Sequence, residues 1–111
     1  MADDFAGGLR ERVAVETWID ARGDDGASVG FWQPRGAVHA AVVPDAASGA
    51  RGVEAEARRS TLRWRVTMRP VADIGLASRL IWGSHILVVL GVDSDPRQPD
   101  RIVLRCEARG G

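Results

Sequence analysis

Lysine and asparagine are absent from this 111-residue chain, and cysteine occurs once. All fifteen basic residues are arginine. A demand for forked, bidentate donors would favour arginine over lysine, but the abundance of Ala, Gly and Val makes GC-rich codon usage the simpler source. The lone Cys106 excludes an internal disulfide and gives no sign of an oxidising compartment. No apolar run reaches membrane-spanning length; the longest, Ile86 to Leu90, is strand-sized. The opening MADDFAGGLR lacks the basic-then-apolar order of a secretory signal. It points to a protein made and used in a cytoplasm, or in something assembled there. A charge surplus is missing as well, since fifteen acidic residues balance the fifteen basic ones. Dedicated nucleic-acid binders draw most of their affinity from phosphate neutralisation and carry net positive charge. Neutrality weighs against that class.

What is present reads as a small globular β domain. Hydrophobic residues make up 45% and charged residues 27%, the balance of a folded chain rather than a disordered one. Residues 1–8 are polar and glycine-ended, a flexible arm ahead of a single domain over 9–111. The stretch RRSTLRWRVTMRP, Arg58 to Pro70, holds five arginines in thirteen residues. Leu62, Trp64, Val66 and Met68 share one face of an extended chain; Arg63, Arg65, Thr67 and Arg69 share the other. A period of 3.6 would scatter these arginines, so the segment predicts a half-buried strand, and the question is what its arginine face meets.

Alternation marks the other strands. Leu9 to Ile19 alternates before the loop ARGDDGASVG, and a second strand region covers Phe31 to Val43, with Pro34 expected at an edge, a bulge or a strand start. VEAEARR has the spacing of one or two helical turns, with Glu54 and Arg58 at i,i+4. SRLIW and HILVVLGVD form a hairpin around Gly83-Ser84, a pair suited to a type II′ turn. The second is apolar on both faces, as in a central strand or one covered by a partner. In RIVLRCEAR, Ile102, Leu104, Cys106 and Ala108 point inward. Six short strands with at most one short helix predict an all-β fold, a small antiparallel barrel or sandwich.

Chemistry is sparse. His39 and His85 lie in different strands without partners at ligand spacing, so no metal site is expected. Cys106 reads as core filler. No glycine-rich phosphate loop precedes a helix, and no GxSxG elbow occurs. Asp24 with Asp25, and Asp93 with Asp95, read as turn formers. No catalytic residue and no cofactor are expected. Trp64 and Trp82 fit a core or barrel mouth. Trp18 and Trp32 flank the glycine-rich loop, suited either to stacking on bases or to packing between strands or subunits.

The order of these features resembles a known family. GLRERVAVETWIDARGDDGASVGFWQPRGAVHAAVVP is similar to the opening of phage head–tail joining proteins, also called head-closure or stopper proteins. EAEARRSTLRWRVTMRP resembles that family's loop leading into an arginine-ended strand. SRLIWGSHILVVLGVDSDPRQPDRIVLRCEA resembles its closing hairpin. His39 departs from the pattern, where the family more often has tryptophan. Members also occur in gene transfer agents.

The resemblance implies a non-catalytic β-barrel subunit at the neck of a phage-like particle, assembled in a bacterial cytoplasm. It would form a homo-oligomeric ring, dodecameric in this family, between portal and adaptor proteins and a tail terminator or tail tube. The ring retains packaged DNA in its channel without sequence-specific binding, and no membrane is involved. Expected interface residues are Arg63, Arg65, Arg69 and Trp32, with Glu54, Glu56 and Arg58. Two alternatives stand beside this reading: a tail-terminator or other neck ring, and a small barrel that binds single-stranded nucleic acid through Arg63, Arg65, Trp18 and Trp32.

Overall fold

The computed structural model describes residues 5–22, 28–45 and 63–109. One helical turn, α1 (Phe5–Gly8), precedes six strands: β1 (Glu11–Arg22), β2 (Ser28–Pro44), β3 (Arg63–Met68), β4 (Ser78–Trp82), β5 (His85–Asp93) and β6 (Ile102–Arg109). The strands close into an antiparallel barrel in the order β1-β2-β3-β6-β5-β4. Closure removes the exposed edges that an open sheet leaves for aggregation.

Period-two alternation fills the interior. Val13 and Val15 of β1, Val66 and Met68 of β3, Leu80 of β4, Leu87 and Val89 of β5, and Ile102, Leu104 and Cys106 of β6 are all buried there with Ala40. The inward set expected in RIVLRCEAR is found, with Ala108 packed partly buried at its end. Burial and low-dielectric surroundings push the Cys106 thiol up to about 12. Thr17 and Ser78 are the buried polar side chains among the described residues, and their hydroxyls bond each other at 3.1 Å. That pairing removes the cost of burying either one alone.

Local chemistry sets the corners. Gly83 has φ 61° while Ser84 is not left-handed, as a type II′ turn requires, and Trp82 pairs with His85 across it. Pro34 sits where the β1–β2 register shifts between Ala14 and Glu16, so its missing N–H falls at an irregularity of the ladder. After β5, Asp95 accepts the backbone N–H of Arg97 at 2.9 Å and its forked side chain at 3.1 and 3.0 Å. This turn-forming role matches the reading of Asp95, and the Arg97 bonds hold its carboxyl below the usual range.

Two features differ from the sequence reading. The helical turns expected in VEAEARR lie outside the described residues, whereas Phe5–Gly8, within the expected arm, is a helical turn. β2 is longer than expected, beginning at Ser28. The β5 outer side chains Ile86 and Val88 face away from the barrel interior and are half-buried, and β5 pairs on both flanks, with β4 and β6, as a central strand does.

The excess length of β1 and β2 shapes the molecule. β4 pairs with β1 only from Ala14 to Thr17, and β3 with β2 only from Ala40 to Pro44. The last tie is Trp18 N–H to the Ala77 carbonyl, 2.8 Å. Beyond it β1 and β2 pair only with each other, as far as Arg22 opposite Ser28. They form a two-stranded ribbon that runs past the paired end of β4. The opposite end of β2 leads through Asp45, whose N–H bonds the Arg63 carbonyl at 3.0 Å, toward residues 46–62.

Candidate functional site: the β3 wall and the β1–β2 ribbon

The arginine face of the opening question lies on the outside of the barrel. Val66 and Met68 are fully buried, which turns Arg63, Arg65 and Thr67 outward. Across β3–β6, Arg63 stands opposite Glu107, Arg65 opposite Arg105, and Thr67 opposite Val103. On the other flank Arg65 is opposite Val43, which is 45% exposed.

Carboxylates of the same chain lace this wall. Arg65 reaches Asp45 at 3.6 Å, Arg105 reaches Asp93 at 3.4 Å, and Arg109 reaches Glu107 at 3.8 Å. Such partly exposed pairs contribute about 0–1 kcal/mol each. Their main effect is to lower the net field of the wall, which suits contact with a near-neutral surface better than capture of a polyanion.

Arg69 follows β3 and has another neighbour. Its guanidinium carbon lies 5.3 Å from the Phe5 ring centroid, and that of Arg101 lies 4.0 Å from it. Arg101 is itself forked onto Asp100 at 3.0 and 3.2 Å, which lowers the Asp100 carboxyl pKa. The α1 turn is thus pinned across the ends of β3 and β6 by cation–π contacts.

Trp32 is not part of that wall. It lies on the ribbon, separated from the β3-paired segment of β2 by residues 33–39. Trp32 is opposite Trp18, with ring centroids 5.3 Å apart at 69°. Arg79 of β4 covers Trp32 at 4.0 Å and bonds Glu16 at 2.7 Å. Trp18 donates its Nε1–H to Asp20 at 2.8 Å and lies over Gly30, where a Cβ would fall 2.2 Å from Cζ2. An aromatic ring therefore replaces the side chain that the strand lacks at Gly30. Packing between strands, rather than an open platform for bases, is what these two tryptophans do within the chain.

The other pair, Trp64 and Trp82, is partly buried against the core with centroids 5.0 Å apart, and Trp82 donates to Glu11 at 3.0 Å. His85 lies 5.6 Å from the Trp82 ring, and His39 is exposed opposite Arg12. Among the described residues no three of His, Cys, Asp and Glu are grouped as metal ligands would be. Glu54, Glu56 and Arg58, the remaining expected interface residues, lie outside the described residues.

Sequence reasoning missed Arg79, Phe5 and the exposed ribbon residues Val29 and Phe31. Alternation places Arg79 outside its strand, but only the register shows that Glu16 is opposite. The matched parity of Ile19 and Ala21 with Phe31 and Val29 was the available signal for the ribbon.

Comparison with known proteins gives the family. A family described as phage head completion protein matches residues 6–109. No curated protein matches. Among solved structures, protein SF1141 from Shigella flexneri 2a, determined in solution, superposes with a TM-score of 0.69 at 22% identity, over 92% of this chain and 94% of that one. A chain from the virion of a native gene transfer agent particle superposes with a TM-score of 0.65 at 17% identity, over 93% of this chain and 97% of its own length. At these identities the likeness shows a shared fold. The family match, running from α1 to the end of β6, is what assigns the chain: it belongs to the phage head completion proteins, structural virion components that serve the joining of head and tail.

Proposed function

We propose that this chain is the head-closure, or stopper, subunit of a phage-like particle. Copies form a ring between the portal with its adaptor on the head side and the tail on the other. The ring retains packaged DNA and presents the surface on which the tail docks. Its work is mechanical, with no catalytic step.

The observation that carries this reading is the β1–β2 ribbon on the closed barrel of a family member. Among the described residues β1 and β2 pair only with each other beyond Trp18, as far as Arg22 opposite Ser28. A barrel with such a ribbon suits a subunit that contacts its neighbours in a stacked ring. The β3 wall, laced by its own carboxylates, suits contact with a neighbouring subunit better than capture of DNA.

Particles assembled without this chain test the proposal. Electron microscopy should show heads that package DNA and then leak it, with no tails attached. Heads that stay full, accompanied by tails of uncontrolled length, would identify a tail terminator instead. Tight, salt-sensitive binding of the isolated chain to single-stranded DNA would favour the nucleic-acid reading.

A further inference from the structure

The N-terminal turn is fastened to the barrel in a different way from the strands. Glu11 of β1 pairs with Ala40 of β2, and Ala40 with Met68 of β3. The chain ahead of β1 therefore passes β2 before Phe5 meets Arg69 and Arg101. The placing of those two arginines follows from the register. Met68 and Ile102 form the last pair of the β3–β6 ladder, and Arg69 and Arg101 are the next residue out on each strand. One aromatic ring thus spans the end of that ladder.

Ring and core stay separate. Met68 is fully buried and Ile102 nearly so. Phe5 is only half-buried and, among the described residues, belongs neither to the core nor to the apolar side chains packed against it. What it meets instead is cationic. Arg101 is the closer guanidinium, 4.0 Å from the ring centroid against 5.3 Å for Arg69. Its side chain is 17% exposed and its fork is held by Asp100, whereas Arg69 is exposed. The covered contact is the stronger of the two, because water competes less for the cation there.

We propose that α1 is a clasp that opens and closes over the end of the β3–β6 ladder while the barrel stays folded. Attraction between the face of the Phe5 ring and the two guanidiniums, rather than burial in the core, holds it shut. Open, the clasp bares an aromatic ring and two cations that mask one another when it is closed.

Magnitudes make the opening local. An exposed cation–π contact favours the closed form about two- to fivefold, and a covered one about thirtyfold. Together they favour the closed turn on the order of a hundredfold, which leaves about 1% of chains open at any moment. Folding of a small domain is favoured by roughly 10³–10⁸. A turn held this lightly opens many times for each unfolding of the strands, as the weakest parts of a fold do. Its release also breaks no rung of the barrel, since the pairing of β1 with β2 begins only at Glu11.

The test replaces Phe5 with pentafluorophenylalanine, which keeps the shape of the ring and reverses the sign of the charge on its face. Nuclear magnetic resonance of the full chain follows the amides of residues 6–9 for the turn. The amides of Val66 and Leu104, both fully buried, report on the barrel. A Phe5→Gly chain supplies the open reference. In the native chain, heating should carry the amides of residues 6–9 toward that reference before Val66 and Leu104 move. The fluorinated ring should carry them more than halfway there at room temperature, with the barrel unchanged. Phe5→Leu, apolar but without a ring face, should do the same. A turn that keeps its native positions with either replacement overturns the proposal, because apolar packing would then hold it. Joint loss of the turn and of the Val66 and Leu104 signals, on heating or in either variant, overturns it too, because α1 would then be part of the core.

Discussion

The barrel and the ribbon use the same two strands in opposite ways. From Val13 to Thr17, every second side chain of β1 is buried among residues of other strands. A few residues further on, Ile19 and Phe31 keep the same alternation but lie outside the buried core of the described residues. The pattern of the sequence is continuous; the cover is not. The barrel thus obtains its stability from within, while the ribbon is stiffened on one face by Trp18, Trp32 and Arg79 and left apolar on the other. Stability and assembly are separated along a single hairpin, so mutations should separate them as well.

The largest effect is expected in the barrel. Leu104→Ala removes a fully buried side chain and should cost about 2–5 kcal/mol. Denaturant titration checks this. Phe31→Ala deletes more atoms, yet it should cost no more than ~1 kcal/mol because the ring is half exposed. Equal losses at the two sites would break the comparison, since the ribbon would then be part of the folded core.

Cys106 reports on the same interior through pH. Its folded pKa of about 12 stands above the ordinary 9.0. Below the ordinary value both folded and unfolded chains hold the proton, and the thiol adds no pH dependence. Above it the unfolded chain loses its proton first, so stability falls as pH rises from about 9 toward 12. The slope is ~1.4 kcal/mol per pH unit. Comparing native and Cys106→Ala proteins at pH 8 and pH 10 isolates this term. A native loss no steeper than that of the variant would mean that the thiol reaches water in the folded barrel.

Gly30→Ala probes the closed face of the ribbon. The new methyl would meet the Trp18 ring, which is 38% exposed and free to swing outward. The cost should sit near ~1 kcal/mol, the low end of overpacking. The Trp18–Trp32 contact should be lost while the barrel stays intact. Near-ultraviolet circular dichroism reads the tryptophan pair, and far-ultraviolet signal reads the sheet. Loss of both together would show that ribbon and barrel fold as one unit.

Much of this was legible in the sequence. Alternation gave the β4 and β5 bounds, the inward set of β6 and the outward set of β3, and Pro34 marked the irregularity in β2. All of these are properties of one strand and its period. Where each strand ends relative to its neighbours is a property of pairs. Nothing in GLRERVAVETWID tells that β4 stops opposite Thr17 while β1 continues to Arg22. Arg65 beside Asp45 and Phe5 beneath Arg69 and Arg101 escaped for the same reason, because the segments meet only once the barrel has closed. Trp32 was grouped with the β3 arginines from its residue type, and the register separates them.

The smallest expected effect on folding belongs to the arginines that opened the question. Arg63→Glu exchanges an opposite-charge pair with Glu107 for a like-charge one, a loss of about 0.2–1 kcal/mol. Arg65→Glu acts both ways. It gives up the 3.6 Å pair with Asp45 but turns a like-charge pairing with Arg105 into an opposite one. Its net effect on stability should lie close to zero. Both side chains point away from the core, so the double variant should keep the circular dichroism of the native barrel and lose no more than ~1–2 kcal/mol. Under the proposed function its cost appears elsewhere. A wall whose charge has been reversed should meet its neighbour in the particle unfavourably, and tails should fail to attach. Tail counts by electron microscopy, set beside denaturation of the isolated chain, separate the two outcomes. Unchanged tail attachment would remove the β3 wall from the interface and leave the ribbon as the contact of interest. A loss of more than ~3 kcal/mol in the isolated chain would make the wall part of the fold, and the line drawn between barrel and ribbon would have to move.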